Sequence, residues 1–501
     1  MIRARILHRR AGRLTTRYGT GMALGALAAA LLTAPDSAAA ATVLHVCKQR
    51  CAYSQVQAAV DAASAGDVIL VGPGTYAGGI TIAKPLTVTG SGSGSTFLAG
   101  GGPVITVTAG PVLIQEMTIT GGNSPAAGGG ILNTATLTVV NVAVSHNSAD
   151  GYGGGIANDG TAPDSGSVVR LVLRGGRITA NTASIDGGGL ANLGMVSGSS
   201  TTAAADVSGT AIEGNTAQDG GGIDDEEAAT MSLRSAVINH NTATDGGGME
   251  IADGASATIR DTSVRQNSAE DDSGGIEISL FASATIRAAT IGHNFAAYGG
   301  GISVGGGTLR MTDSAVDGNH ATQASGGIEV GGVRHHPSRA LVTGTTINSN
   351  SAGTGGGVSV SSEASVTLDN DAIRRNTAST EGGGIDGEGL GITLALDRTS
   401  VTGNSSGGDG GGIINYVTTT LTHDRVSANS AAGLGGGIFN GSEPLTPRSI
   451  AKGVINLDSS TSVDRNRAAG GGGIYLAGGT ATVDGASVYG NTPDNCEPTA
   501  C

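Results

Sequence analysis

Apolar and polar residues alternate over four or five positions again and again along this chain, as in Ala257-Thr258-Ile259-Arg260, Ser365-Val366-Thr367-Leu368 and Thr419-Thr420-Leu421-Thr422. A period of two sends successive side chains to opposite faces, so each stretch predicts a short strand with one face buried. Two further patterns punctuate these strands. Thirteen times between residues 128 and 474 a run of two to four glycines is followed by one apolar residue, from Gly128-Gly129-Gly130-Ile131 to Gly471-Gly472-Gly473-Ile474, usually about 26 residues apart. Most runs follow an aliphatic residue placed three before an asparagine, as in Val144/Asn147, Ile238/Asn241, Ile291/Asn294 and Val463/Asn466. A repeat of this length is one supersecondary unit, copied and stacked.

Each repeat holds about three strands: one at the aliphatic-x-x-Asn element, one at the glycine run, and one between that run and the next asparagine. Three short strands per turn predict an all-β parallel β-helix of about 16 coils. In such a stack every residue lies over its counterpart about 4.8 Å away, so equivalent positions form columns. The asparagine column, from Asn123 through Asn491, is expected to be a ladder of stacked amides. The glycines supply backbone conformations with positive φ. Strand edges at the ends need covering, and Ser54 to Ala63, with apolar residues at helical spacing, predicts a short N-terminal capping helix. Long repeats near 156–223 and 438–474 predict protruding loops, among them 159–167 and 193–205.

Composition narrows this picture. The chain has 501 residues but no Trp, four Phe and eight Tyr, so its interior must be built from Val, Ile, Leu and Ala. Residues 1–40 carry six arginines, an apolar stretch from Met22 to Leu32 and Ala38-Ala39-Ala40, the pattern of a signal peptide for secretion. Without them the net charge moves from −14 to −19, since six arginines and Asp36 leave together. Such a surface argues against nucleic acid and anionic membranes as partners, and no membrane span follows the leader. Cys47, Cys51, Cys496 and Cys501 sit at the two ends of the exported chain, which predicts local disulfides 47/51 and 496/501. The expected organisation is a signal peptide over 1–40, an N-terminal cap over 41–67, the β-helix over 68–491 and a C-terminal cap with the cysteine pair over 492–501.

The segment Val56 to Ala63, then Gly66-Asp67-Val68-Ile69-Leu70-Val71 with Gly74-Thr75-Tyr76, then Leu86-Thr87-Val88-Thr89-Gly90, resembles the pectin-lyase-like superfamily of right-handed parallel β-helices. The GGGI and (V/I)xxN elements are similar to repeats of chlamydial polymorphic outer-membrane proteins and of secreted bacterial β-helix proteins. The resemblance covers nearly all of 43–495. It implies a right-handed coil and, for function, a protein acting on or binding extracellular polysaccharide or a cell-surface component. The catalytic Arg, Lys and Asp motifs of pectate lyases and polygalacturonases find no counterpart here.

Chemistry is sought where the repeats differ. The position after the apolar anchor reads Asp224, Glu250, Glu277, Ser303, Glu329, Ser359, Asp386 on the middle coils, and alternation assigns it to the outside. Four residues before the anchor stand Asp186, Asp219, Asp245, Asp272, later Glu381 and Asp409. Stacked like charges repel and raise one another's pKa. Three arrangements would relieve them: a solvated acidic face; calcium bridging Asp219, Asp245 and Asp272, the one cofactor the residues suggest; or a catalytic pair drawn from Glu250, Glu277 and Glu329, as in a glycoside hydrolase or polysaccharide lyase. His335-His336 with Arg334 and Arg339 forms a local basic spot in an insertion, and Tyr416, Phe439, Tyr475 and Tyr489 are outward aromatics on late coils.

Overall fold

The computed structural model describes residues 41–161, 168–194, 202–333, 336–361, 363–446 and 449–498. The expected signal peptide over 1–40 and Cys501 lie outside the described residues, and with Cys501 the expected 496/501 disulfide. The Cys47–Cys51 disulfide is formed, with Cα atoms 5.5 Å apart.

The chain winds into a right-handed parallel β-helix of about 17 turns, one more than the repeat count suggests. A representative coil runs through Ile223–Glu226, Thr230–Arg234, Val237–Asn239 and Thr242–Ala243 before the next glycine run. The first three belong to the long sheets of the solenoid, here termed the glycine-run, alternating and asparagine sheets; the alternating sheet has 17 strands and the asparagine sheet 16. The fourth is a two-residue strand in a short sheet of eight, preceded by a separate sheet of three. Pairing is parallel and in register from coil to coil, for example Ile259 with Leu233 and Ile286.

One column of aliphatic side chains from each long sheet fills the interior. Ile223, Leu233 and Ile238 are all buried on a single coil, and Met249, Ile259 and Val264 on the next. At the corner after the asparagine sheet, Asn147, Asn181, Asn215 and Asn241 begin a ladder in which each amide Nδ2–H donates to the Oδ1 of the next coil at 2.9–3.0 Å. The same Oδ1 accepts that asparagine's backbone N–H, and the second Nδ2–H donates to a carbonyl, as from Asn241 to Ile212 O at 3.0 Å. Every polar group at the buried corner is thereby satisfied. The ladder starts at Asn147 rather than Asn123: Asn123 is exposed and accepts from Ser148 Oγ, while Gly122 N–H caps Asn147 Oδ1.

Val56–Ala62 is the capping helix, with Val56, Ala59 and Val60 buried against the first coil. Lys84 Nζ donates to the carbonyls of Val60 and Ala63 at 3.1 and 2.7 Å, satisfying the helix C-terminus. Within the long 438–474 repeat, Ile438–Thr446 and Ser449–Lys452 form an antiparallel hairpin that leaves the coil.

Candidate functional site

The glycine run reverses the chain between the short sheet and the glycine-run sheet, and this turn makes the site. Gly220 has φ +59° and lies so close to its own strand that a Cβ there would fall 2.8 Å from Asp224 Cβ and 2.4 Å from Ile223 O. Gly382 repeats the arrangement, with a Cβ reaching 2.8 Å from Asp386 Cβ. The turn therefore folds down over the residue that follows the anchor. Where serine replaces the turn glycine, at Ser273 and Ser325, φ stays positive at 53° and 62°, and Ser325 Oγ donates to Ile328 O at 2.8 Å.

This overturns the outward assignment of the column. Alternation does point Asp224, Glu250, Glu277 and Asp386 away from the solenoid interior, yet they are 0%, 3%, 7% and 2% exposed. They lie in a seam between sheet and turn. Their Cα atoms are in register through Asp224, Glu250, Glu277, Ser303, Glu329, Ser359 and Asp386. Ser303 and Glu329 are the half-buried members and mark where the seam is most open.

The second acidic column borders the seam. Asp186, Asp219 and Asp245 are bridged successively from coil to coil, and Asp272 N–H donates to Asp245 Oδ1 at 3.1 Å. The three expected calcium ligands Asp219, Asp245 and Asp272 are thus neighbours on consecutive coils. Among the described residues the carboxylates grouped closely enough to hold one metal ion are others: Asp186, Asp224 and Glu226, all buried, with one ligand oxygen of each within 4.8 Å of the others. Glu226 follows Asp224 by two residues and so shares its strand face, a signal the column-by-column reading passed over.

Burial dominates the electrostatics. Glu329 is pushed up to about 8, first by desolvation and then by the negative charges of Asp272 and Glu388. Asp272 is pushed up to about 7 by desolvation, Asp245 and Asp271. Glu381 is raised by desolvation, Glu388 and Asp409, against a lowering contact from Tyr416. A carboxyl held neutral near pH 7 can donate a proton. Glu250 and Glu277 sit on adjacent strands, and Glu329 two strands beyond Glu277.

Toward the C-terminus the same column turns apolar: Ile414, Phe439, Tyr475. Phe439 and Tyr475 stack with ring centroids 5.8 Å apart, and Tyr416 meets Phe439 edge-on at 6.0 Å. Tyr416 OH donates to Glu381 Oε2 at 3.4 Å, joining the aromatic end to the acidic one. Tyr489 lies in the asparagine sheet, apart from them.

A second buried ladder was not foreseen. Asn133, Asn158 and Asn192 pass hydrogen bonds of 2.7 Å up to Asp225 Oδ1. Asn158 and Asn192 lie near the ends of the strands Ile156–Asp159 and Leu190–Leu193, and of the loops expected at 159–167 and 193–205, residues 162–167 and 195–201 lie outside the described residues. Asp225 ends the ladder, pushed up to about 8 by desolvation, with the Asn192 hydrogen bond acting in the opposite sense.

No protein-family profile matches the sequence, and no curated protein matches it. Among solved structures it is similar to the A-module of the mannuronan C-5 epimerase AlgE6 of Azotobacter vinelandii, at 14% identity and a TM-score of 0.41, over 69% of this chain and 93% of that one. It is also similar to a PL6 alginate lyase in complex with a trisaccharide, at 12% identity and a TM-score of 0.25, over 90% and 88%. The fold is read from this chain's own strand register, which has the coiled architecture of the pectin-lyase-like proteins.

Proposed function

We propose that this is a secreted polysaccharide-binding scaffold whose carboxyl seam is stabilised by calcium. The observation that carries the reading is the continuity of one column: carboxyls on the middle coils give way, beyond Asp386, to Ile414, Phe439 and Tyr475, and Tyr416 beside Phe439 reaches back to Glu381. Phe439, expected on the outside, is buried, but the half-buried Tyr416 and Tyr475 rings and Glu381 suit the two sides of a neutral sugar, its apolar ring face and its hydroxyls. The Cys47–Cys51 disulfide fits an oxidising, extracellular setting. Among the described residues no helix is long and apolar enough to cross a membrane.

Asp186, Asp224 and Glu226 are the residues that would hold the calcium, a hard cation that takes oxygen ligands. Melting in calcium and in chelator tests this: the reading requires a higher melting temperature with calcium, abolished in the Asp186→Asn/Asp224→Asn variant. Neutral glycan arrays test the binding, and loss of signal in Tyr475→Ala is the expected result.

One observation favours a second reading, hydrolysis or lyase cleavage at Glu329 with Asp272, Glu277 and Glu250 nearby: the proton that Glu329 holds near neutral pH. Release of reducing or unsaturated ends by the parent protein, and its loss in Glu329→Gln, would establish it. A parent protein that binds glycan and releases no ends excludes it.

A further inference from the structure

The outer face of the alternating sheet carries the opposite charge. On five consecutive strands, Thr230–Arg234, Ser256–Arg260, Ser283–Arg287, Thr308–Thr312 and Ser338–Thr343, it presents five exposed arginines and no carboxylate. Arg234, Arg260 and Arg287 are in register as one column, Arg310 lies opposite Thr285, and Arg339 opposite Thr308. Elsewhere, Arg170 on an earlier strand of this sheet pairs with Asp206, and Arg398, just beyond a later strand, pairs with Asp369 and Asp397. Within the patch the sole ion pair among the described residues is Arg287 with Asp313 at the corner, 3.6 Å apart and exposed on both sides. The patch therefore extends well beyond the basic spot foreseen at Arg334, His335, His336 and Arg339, of which Arg334 and His335 lie outside the described residues.

We infer that this face is a docking surface for a linear acidic polysaccharide. A protein of net charge −14 that leaves Arg234, Arg260, Arg310 and Arg339 without a salt bridge among the described residues has a local field that attracts anions. Guanidinium forks recognise carboxylate and sulfate oxygens bidentately. The spacing selects among polyanions: the column offers one positive charge per strand, about 4.8 Å, close to the repeat of an extended sugar chain with one acid group per residue. Double-stranded DNA, with one charge per ~1.7 Å, is mismatched to it and is repelled by the rest of the surface. Exposed Ser232 and Thr285 and half-buried Thr258 lie beside the column as hydroxyl partners. At the edge where the third strand begins, Phe281 is 64% exposed with its ring 4.3 Å from that of His336, a flat apolar surface for a sugar ring.

This surface is separate from the seam, so the two readings fail separately. The test is retention of the full exported chain on immobilised polygalacturonate without calcium, with neutral dextran as control, at low and high salt. The parent should bind polygalacturonate but not dextran, and salt should release it. Arg234→Ala/Arg260→Ala/Arg287→Ala should weaken binding by about tenfold or more, since each lost phosphate-like contact removes part of the counterion release. The matching triple lysine variant should retain most of the binding, and Arg177→Ala, an exposed arginine on the asparagine sheet, should bind as the parent does. A parent that is not retained, an alanine triple variant that binds equally well, or single-stranded DNA binding as tightly as polygalacturonate would each overturn the inference.

Discussion

The seam and the arginine face are both columns of like charge stacked at one strand spacing, and they meet the repulsion in opposite ways. Asp224, Glu250 and Glu277 are buried, where desolvation makes the charged form costly and burial raises carboxyl pKa values. Arg234, Arg260 and Arg287 are exposed, where water and salt screen them, and arginine cannot shed its proton. A repeat protein can thus stack identical charges either where they can be neutralised or where solvent tolerates them. The first arrangement ties stability to pH and cations; the second leaves charge free for a partner.

The most disruptive way to break the contrast is to open the seam. Gly220→Val should destabilise the protein by several kcal/mol, because it strains a positive φ and drives a branched side chain into Ile223 O and Asp224. Urea titration would show the midpoint fall; an unchanged midpoint would mean that the turn does not cover the strand. Next in size is pH. Glu329 and Asp225 at about 8, and Asp272, Asp371 and Asp424 at about 7, bind protons in the folded state that the unfolded chain has already released. Their contribution is therefore fully present below the ordinary carboxylate range and is lost as pH rises through 7 to 8. Asp67, Asp458 and Asp464, whose pKa values are lowered, act in the other sense, and their stabilisation is lost only as pH falls below the ordinary range. Melting temperature should be higher near pH 5 than near pH 8.5, and calcium should restore part of the loss at the higher pH. A flat profile would contradict the seam's protonation.

A smaller effect isolates one buried acid. Asp225→Asn keeps the acceptor for Asn192 and removes the need for a proton, so it should stabilise the protein by about 1 kcal/mol at pH 8.5 and hardly at all at pH 5. Equal gains at both pH values would assign the effect to packing. Smallest of all, Arg260→Ala should leave the melting temperature almost unchanged, since it is exposed and makes no salt bridge among the described residues.

The coil was legible because Asn241 and its counterparts recur at fixed register, and stacking demands that. The buried seam was not, because alternation reports the face of a strand and says nothing about what folds over it; Asp224 points outward and is covered by the turn at Gly220. The signal lay in the glycine run itself, whose closeness to the strand requires the missing Cβ. The second ladder was hidden because its asparagines are interrupted, Asn133, Asn158 and Asn192 on three consecutive coils and Asn415 and Asn440 on two later ones, and the arginine face because net charge averages over all faces. Its trace is plain in hindsight: Ser-Ala-Thr-Ile-Arg occurs twice, at 256–260 and 283–287.

The asparagine ladder has a direction. Each amide donates toward the next coil, from Asn147 onward, and the last, Asn491, donates to Asn495 Oδ1 at 3.1 Å. A chain that emerges N-terminus first, with its earliest coil already lidded by Val56–Ala62, holds one waiting donor on its newest turn, which the following turn satisfies. The bonding order is vectorial: each coil's amide is satisfied by the coil that follows it in synthesis, and Asn495 accepts the last of these donors.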